Sequence, residues 1–289
     1  MNALNVLAHE SIQTPSVAWT GLLPIIILAA AGVLLLTICS LFPEKVTNKF
    51  ASVYTQLAAV AALSSTCSLW DKVQNKSEGP YSTLAGAFGI DGFSIFVTML
   101  ITICVILISP LAETFLKKEN ITGPEPYVLM LLAATGGIIM AGANDFIILF
   151  LGIEVLSISS YILAAMNSRR IQSQEAGLKY FVLGAFASGF LLYGIALLYG
   201  ATGSTSFSAI KNFTQEVELT NDTLLLASLG LIIVGLAFKV AAVPFHFWLP
   251  DVYQGSPTPF VAFMASAVKA AGFAAILRVL YVTLGEYRA

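Results

Sequence analysis

Residues 238–259 read FKVAAVPFHFWLPDVYQGSPTP, which places Lys239 at the end of an apolar run and Pro244 five residues later. Proline has no backbone N–H and its ring clashes with the preceding turn, so a helix containing Lys239 should end or kink there. In hydrocarbon, a broken helix is tolerated only where its backbone is buried in protein or lines a wet cavity. The segment therefore predicts either a hydrated path beside Lys239 or a simple proline kink. His246, taken alone, is more typical of an interfacial or core residue than of a proton carrier.

The composition indicates a membrane protein with several spans. Of the 289 residues, 57% are hydrophobic and 10% are charged, and the mean hydropathy of +0.86 lies outside the range of soluble domains. The net charge of -2 gives no indication of nucleic-acid binding. No loop carries a nucleotide-binding motif, and the three cysteines lack CxxC spacing. We therefore expect partners inside the membrane, and no metal site, disulfide framework or nucleotide site on this chain.

Apolar runs of about 20 residues predict eight membrane-spanning helices. We expect them at residues 22–42, 51–70, 92–112, 126–143, 145–166, 176–200, 224–243 and 259–283. Between the sixth and seventh spans we expect a polar loop over residues 203–223. No Lys or Arg precedes the first run, whose length favours a span over a cleaved signal peptide. Odd-numbered connections carry six basic residues against three in the even-numbered ones, so the N-terminus is expected outside the cytoplasm.

Three ionisable residues lie deep within separate apolar runs. Glu154 and Lys269 are near the middle of their runs, and Lys239 immediately precedes the proline break. A charge at membrane depth costs at least about 2.5 kcal/mol, so such residues normally face a bundle interior, pair with one another and mark an ion or proton path. Movement of Glu154 towards or away from Lys239 would load or unload a proton on the lysine. The alternative is a static ion pair that fixes the positions of the helices.

Two further basic residues lie near the ends of their spans. Lys179 is about one turn inside the sixth span, and Arg278 is close to the end of the eighth. Long basic side chains at such positions commonly reach back to the membrane interface. Position alone therefore predicts an interfacial role for both residues.

Three segments resemble one known family. They are GIEVLSISSY at residues 152–161, EAGLKYFVLGAFASG at 175–189 and the proline-containing segment at 238–259. They resemble the antiporter-like membrane subunits of respiratory complex I, and most closely the N-type subunit of NADH-quinone oxidoreductase. The resemblance implies an all-α transmembrane bundle of about eight spans with a broken seventh helix, the first half of an inverted-repeat antiporter-like fold. It divides the chain into a three-helix segment, 1–115, and a five-helix repeat, 116–289.

The resemblance also implies roles for single residues. A proton relay would contain Glu154 on the fifth span, Lys239 on the broken seventh and Lys269 on the eighth. Lys179 would join it as a sixth-span lysine instead of an interfacial one, and His246 would bridge Lys239 and Lys269. Members of the family carry a second five-helix repeat, whereas this sequence stops after the first. We therefore expect a fragment or truncated chain that lacks the second half of the relay.

The expected function is that of a proton-translocating membrane-arm subunit of a complex I type NADH-quinone oxidoreductase. The resemblance implies neighbouring complex I membrane subunits as partners and a bacterial inner membrane as the location. This chain would hold no redox cofactor, while the assembled complex would use quinone and NADH or another donor. Two alternatives stay open. A subunit of a multi-subunit cation/proton antiporter or membrane-bound hydrogenase shares Glu154 and Lys239, and a scaffold would fill the membrane arm without moving protons.

Overall fold

The computed structural model describes residues 17–42, 46–74, 79–216 and 223–283, and it is a bundle of membrane-length helices. Within these ranges, eight helices are long and apolar enough to cross a membrane: α1 Trp19–Leu41, α2 Asn48–Gln74, α3 Gly92–Lys118, α4 Glu125–Gly142, α5 Phe146–Ala164, α6 Ile171–Thr202, α8 Thr223–Val240 and α10 Thr258–Thr283. Two shorter helices, α7 Phe207–Glu216 and α9 Leu249–Gly255, lie on either side of α8 in the sequence. The chain is a multi-pass membrane protein.

The eight predicted spans are confirmed, and the largest shift of an end is six residues, where α3 continues beyond residue 112 to Lys118. The predicted break in the seventh span is confirmed as well, because α8 ends at Val240 and α9 begins at Leu249. Some predictions fall outside the described residues: those on the chain ends at 1–16 and 284–289, and those on Lys45 and Lys76. The division at residue 115 stays a prediction.

Local sequence signals explain where several helices begin and end. Asp91 accepts a hydrogen bond from the Ser94 backbone N–H at 2.8 Å, and Ser94 Oγ accepts one from the Asp91 backbone N–H at 3.0 Å. This reciprocal capping box starts α3. Asp145 starts α5 by accepting from the Ile147 N–H at 2.7 Å. Gly203 has a φ of 71°, the left-handed conformation that commonly follows a helix, and it ends α6.

Small residues bring neighbouring helices into backbone contact. A Cβ atom on Gly136 of α4 would lie 2.6 Å from the Leu156 nitrogen and 2.7 Å from the Gly152 oxygen of α5. On α6, a Cβ atom on Gly194 would lie 2.9 Å from the Ile232 nitrogen of α8. Membrane helices gain van der Waals contact when glycine permits such an approach. These contacts fix α5, which carries Glu154, and α8, which carries Lys239, against their neighbours.

The sequence did not predict two elements that cover one end of the bundle. An antiparallel hairpin, β1 Tyr81–Thr83 and β2 Phe88–Ile90, lies between α2 and α3. The expected polar loop at 203–223 instead contains α7, whose Phe207 side chain is fully buried. Strands of three residues are too short to show a period-two pattern, and an amphipathic helix of ten residues lacks the apolar length of a span.

The expectation that Arg278 reaches the membrane interface is wrong. Its side chain is buried and donates to the Ala143 carbonyl at 2.9 Å, the Asn144 side-chain oxygen at 2.8 Å and the Asp91 carboxylate at 2.5 Å. Asp91 also caps α3, so Arg278 joins α10 to the start of α3 and to the α4–α5 connection. All three partners are more than 130 residues away in sequence. Position within a span could not identify them.

Candidate functional site

The break after α8 is a regular helix end followed by a proline. Ala242 donates its N–H to the Ala237 carbonyl at 2.9 Å, and Ala241 donates to the Phe238 carbonyl at 3.0 Å. Ala241 itself has a φ of 57°. This is a Schellman motif with alanine in the left-handed position that glycine usually takes. In a continuous helix the next N–H would come from residue 244, but proline has none. The Val240 carbonyl is therefore left without its helical donor.

Lys269 supplies a donor for this carbonyl. Its Nζ lies 2.7 Å from the Val240 oxygen and 5.1 Å from the centre of the Trp248 ring, where a cation–π contact is favourable. Residues 264–268 of α10 form a π-helical segment that ends directly before Lys269. Such segments occur frequently at functional sites. The lysine of the eighth span thus binds the break in the seventh span through its side chain.

Lys239 lies on the last turn of α8 and is only 5% exposed. Its Nζ donates to Ser157 Oγ on α5 at 2.8 Å. Ser157 in turn donates its hydroxyl proton to the Ile153 carbonyl at 2.5 Å. A hydroxyl has one proton and two lone pairs, so Ser157 is an acceptor towards Lys239. The buried amine is therefore held by a neutral oxygen atom.

Glu154 is partly buried on α5, three residues before Ser157. Its Oε1 accepts a hydrogen bond from Ser188 Oγ on α6 at 2.5 Å. In the described part of the chain, no salt bridge within 4.0 Å joins Glu154 to Lys239. Glu154 and the serine that binds Lys239 are thus neighbours on α5, but Glu154 and Lys239 are each bound by a different serine.

A small cavity lies between α5, α6 and α8, next to both serines. Its polar lining comes from Ser157, Tyr161, Ser188 and Lys239. It leaves about 10 Å³ for the centre of a water molecule, which is close to the minimum that one water needs. On its α6 side, Gly184 lies against the Tyr161 hydroxyl so closely that a Cβ atom there would clash.

Lys179 is separate from this group. Its Nζ lies 2.7 Å from Glu175 on the same helix and 2.6 Å from Asp251 on α9, and 41% of its side chain is exposed. The three residues line a polar pocket at the surface, between α6 and α9. His246 is exposed on the turn between α8 and α9, and Lys269 binds the Val240 carbonyl. The predicted roles of Lys179 in the relay and of His246 as a bridge stay predictions.

The sequence did not single out Ser157, Ser188 or Asp251. Ser157 follows Glu154 by three residues, a spacing that puts both side chains on one helix face, so a weak signal existed. Ser188 lies within a run of small residues on another helix, and nothing local distinguishes it from a packing residue. Asp251 follows Pro250 and reads as a residue of the first helical turn.

Comparisons with known proteins agree with this arrangement. Residues 143–288 match the family model described as "NADH:quinone oxidoreductase/Mrp antiporter, TM". The chain is 38% identical over 261 residues to the NADH-quinone oxidoreductase subunit N of Trichlorobacter lovleyi, covering 90% of this chain and 52% of that protein. It thus spans about half the length of the curated relatives it matches.

Two solved structures contain chains that are similar to this one over about half of their own length. A chain in respiratory complex I from Thermus thermophilus with bound aureothin has a TM-score of 0.74 and 38% identity, over 89% of this chain and 53% of that one. A chain of the Mrp complex from Dietzia sp. has a TM-score of 0.76 over 94% of this chain and 50% of that one. Its identity of 19% indicates a shared fold only.

Proposed function

Because the chain belongs to the NADH:quinone oxidoreductase/Mrp antiporter membrane family, we propose that it is a proton-translocating membrane-arm subunit of a complex I type NADH-quinone oxidoreductase. The observation that carries the proposal is Lys239, which is buried at a helix break and bonded to a neutral hydroxyl. A buried ionisable side chain inside a membrane protein is a candidate proton carrier. Redox chemistry belongs to other subunits, which use quinone and NADH or another donor, and this chain holds no redox cofactor.

The geometry around Lys239 suits a group that gains and loses a proton. An ammonium and an amine can both donate to a hydroxyl oxygen, so Ser157 accepts Lys239 in either protonation state. The charge that favours one state over the other is the nearby Glu154. At an effective dielectric constant of about 20, opposite charges 8 Å apart attract each other by about 2 kcal/mol. A change of a few ångströms in their separation would therefore alter the proton occupancy of Lys239.

The path continues from Lys239 towards Lys269. Lys239 directly precedes Val240 on α8, and Lys269 of α10 donates to the Val240 carbonyl. The helix break frees this carbonyl from a backbone donor, and Lys269 takes that donor's place. Irregular backbone at membrane depth is tolerated where it is buried in protein or lines a water-filled cavity. We place the order of the relay as Glu154, Lys239 and Lys269. Lys179, with Asp251, lies at its exposed edge.

The distribution of basic residues supports one orientation. The α1–α2, α3–α4 and α5–α6 connections lie at one end of the bundle. In the described ranges, this end carries five basic residues: Lys49, Lys117, Lys118, Arg169 and Arg170. The connections at the opposite end carry Lys72 and Lys211, and the buried Arg278 lies at that end as well. The positive-inside rule assigns the first end to the cytoplasm. The N-terminus is then outside the cytoplasm, in a bacterial inner membrane, and the partners are neighbouring complex I membrane subunits.

Replacement of Lys239 by alanine tests the proposal in the assembled complex. Proton uptake by inverted membrane vesicles is measured together with NADH oxidation, and assembly is followed on native gels. We expect Lys239→Ala to assemble normally and to lower proton uptake or coupled turnover at least tenfold. The control is Lys118→Ala, which removes an exposed lysine at the end of α3 and should leave both rates unchanged.

Other outcomes identify the alternatives. Loss of assembly with an unchanged number of protons per electron would indicate a scaffold. Purification of a tagged chain with other antiporter-like subunits, but without quinone reductase activity, would indicate a cation/proton antiporter. Either result would contradict the proposal.

A further inference from the structure

Trp248 lies beside Lys269, and two contacts fix the orientation of its indole ring. The indole N–H donates to the Phe238 carbonyl in the last turn of α8 at 3.3 Å. The face of the indole stacks on the ring of Tyr180, with 4.5 Å between the ring centres and 9° between the ring planes. The N–H bond alone would leave the indole free to turn about that bond. The stack with Tyr180 removes this freedom and sets the plane of the ring.

Tyr180 is an inward-facing residue of α6 that joins three elements of the bundle. It follows the exposed Lys179 in sequence, but only 1% of Tyr180 is exposed. Besides stacking on Trp248, its ring meets the Tyr161 ring of α5 edge to face, at 4.7 Å and 83°. Stacked and edge-to-face pairs are both favourable arrangements of aromatic rings. Tyr180 therefore connects α5 and α6 to the segment that follows the helix break.

The contact between Lys269 and Trp248 depends on the plane of the indole. In the described part of the chain, no carboxylate forms a salt bridge with Lys269. Its Nζ instead lies 2.7 Å from the Val240 oxygen and 5.1 Å from the centre of the Trp248 ring. A cation is attracted to the face of an aromatic ring, where the charge is negative, whereas the edge is positive. A turned indole would therefore lose its attraction for the Lys269 ammonium.

We propose that Tyr180 is a positioning residue for Lys269. By stacking on Trp248 it keeps the indole face towards the Lys269 ammonium, which holds this ammonium at the Val240 carbonyl. The inference rests on the proposed proton-translocating function and adds a residue outside the relay. Tyr180 carries no proton, because it acts through Trp248. Its aromatic ring produces the effect, and its hydroxyl is not required.

Substitutions at position 180 separate the ring from the hydroxyl and from the side-chain volume. Tyr180→Phe keeps the ring, whereas Tyr180→Met fills much of the space with a flexible chain that cannot stack. Proton uptake by inverted membrane vesicles is divided by the amount of assembled complex on native gels. We expect Tyr180→Phe to retain at least half of the wild-type uptake. Tyr180→Met should lower it about fivefold, the size expected for the loss of one aromatic or cation–π contact.

Tyr127→Met is the control for the loss of a buried tyrosine ring. Tyr127 is fully buried on α4, and the described ring contacts of Trp248 are with other residues. We expect wild-type uptake per assembled complex in Tyr127→Met, even where less complex forms. If Tyr180 only fills space, Tyr180→Met gives the same result as Tyr127→Met, and the inference is overturned. Equal losses in Tyr180→Phe and Tyr180→Met would overturn it as well. Tyr180→Leu provides a second side chain without a ring if Tyr180→Met does not assemble.

A density map of the assembled complex tests the geometry directly. In the wild-type complex we expect parallel Tyr180 and Trp248 rings, and in Tyr180→Met a turned indole and a Lys269 side chain that has left the Val240 carbonyl. A wild-type map without the stack, or an unmoved Lys269 in Tyr180→Met, would contradict the inference. Failure of the proposed function is distinguishable, because then Lys239→Ala would also leave proton uptake unchanged. If Lys239→Ala lowers uptake and Tyr180→Met does not, only the role of Tyr180 is wrong.

Discussion

The Lys269 Nζ lies 2.7 Å from the Val240 carbonyl oxygen, the position at which Pro244 deprives α8 of its next backbone donor. A buried carbonyl without a donor loses about 1 to 3 kcal/mol of stability, so the lysine has a structural effect in addition to its proposed chemistry. The same contact joins the charge of Lys269 to the position of the broken helix. Any change in the protonation of Lys269 alters the strength of the hydrogen bond between α10 and the end of α8.

Lys269→Met should lower the stability of the purified chain in detergent. The methionine fills a similar volume but leaves the Val240 carbonyl without a donor and removes the contact with Trp248. We expect a loss of about 1 to 3 kcal/mol, seen as a lower midpoint of thermal unfolding. Lys118→Met, on the exposed end of α3, is the control and should leave the midpoint unchanged. Equal midpoints for the two variants would show that the Val240 bond contributes nothing.

Ala241→Gly should raise the stability of the break. Ala241 has a φ of 57°, and a residue with a Cβ atom in this conformation is disfavoured by roughly 1 kcal/mol. Glycine adopts it without that strain and is the usual residue at this position of a Schellman motif. Thermal unfolding should therefore show a higher midpoint for Ala241→Gly and a lower one for Ala241→Val. A lower midpoint for the glycine variant would contradict the assignment of strain to Ala241.

A structural feature can be predicted from this sequence when the residues that determine it are close together along the chain. The spans follow from runs of apolar residues, and the break follows from one proline near Lys239, so both could be predicted locally. The contacts of Glu154 with Ser188 and of Arg278 with Asp91 join residues 34 and 187 positions apart. They depend on which helices become neighbours, and hydropathy does not determine this. For the same reason the contact of Lys179 with Asp251 became visible only once α9 was placed beside α6.

Arg278→Met should destabilise the end of the bundle where α3, α4, α5 and α10 meet. The variant leaves the Asp91 carboxylate and the Ala143 carbonyl without their shared donor. Removal of one member of a buried ion pair typically costs about 3 to 5 kcal/mol. Because Asp91 is 32% exposed, water takes over part of the missing bonds and the lower end of this range applies. The measurement is the thermal midpoint of the purified chain.

Comparison of Arg278→Lys with Arg278→Met separates the effect of the charge from that of the bonds to Asp91, Ala143 and Asn144. A lysine keeps the charge but cannot reproduce the planar set of donors that reaches three acceptors. We expect it to recover less than half of the stability lost in Arg278→Met. Full recovery would mean that charge alone, without the bonds to Ala143 and Asn144, holds the elements together.

Lys179→Ala and Asp251→Asn separate a role in proton transfer from one in stability. The contact between the two side chains is short, but both are substantially exposed, and exposed ion pairs contribute little to stability. We therefore expect unchanged thermal midpoints for both variants. If Lys179 belongs to the relay, coupled proton uptake falls in Lys179→Ala even though the fold is intact, and Asp251→Asn slows it less because Glu175 still binds the lysine. Wild-type uptake in Lys179→Ala would remove Lys179 from the relay and leave it as a surface residue between α6 and α9.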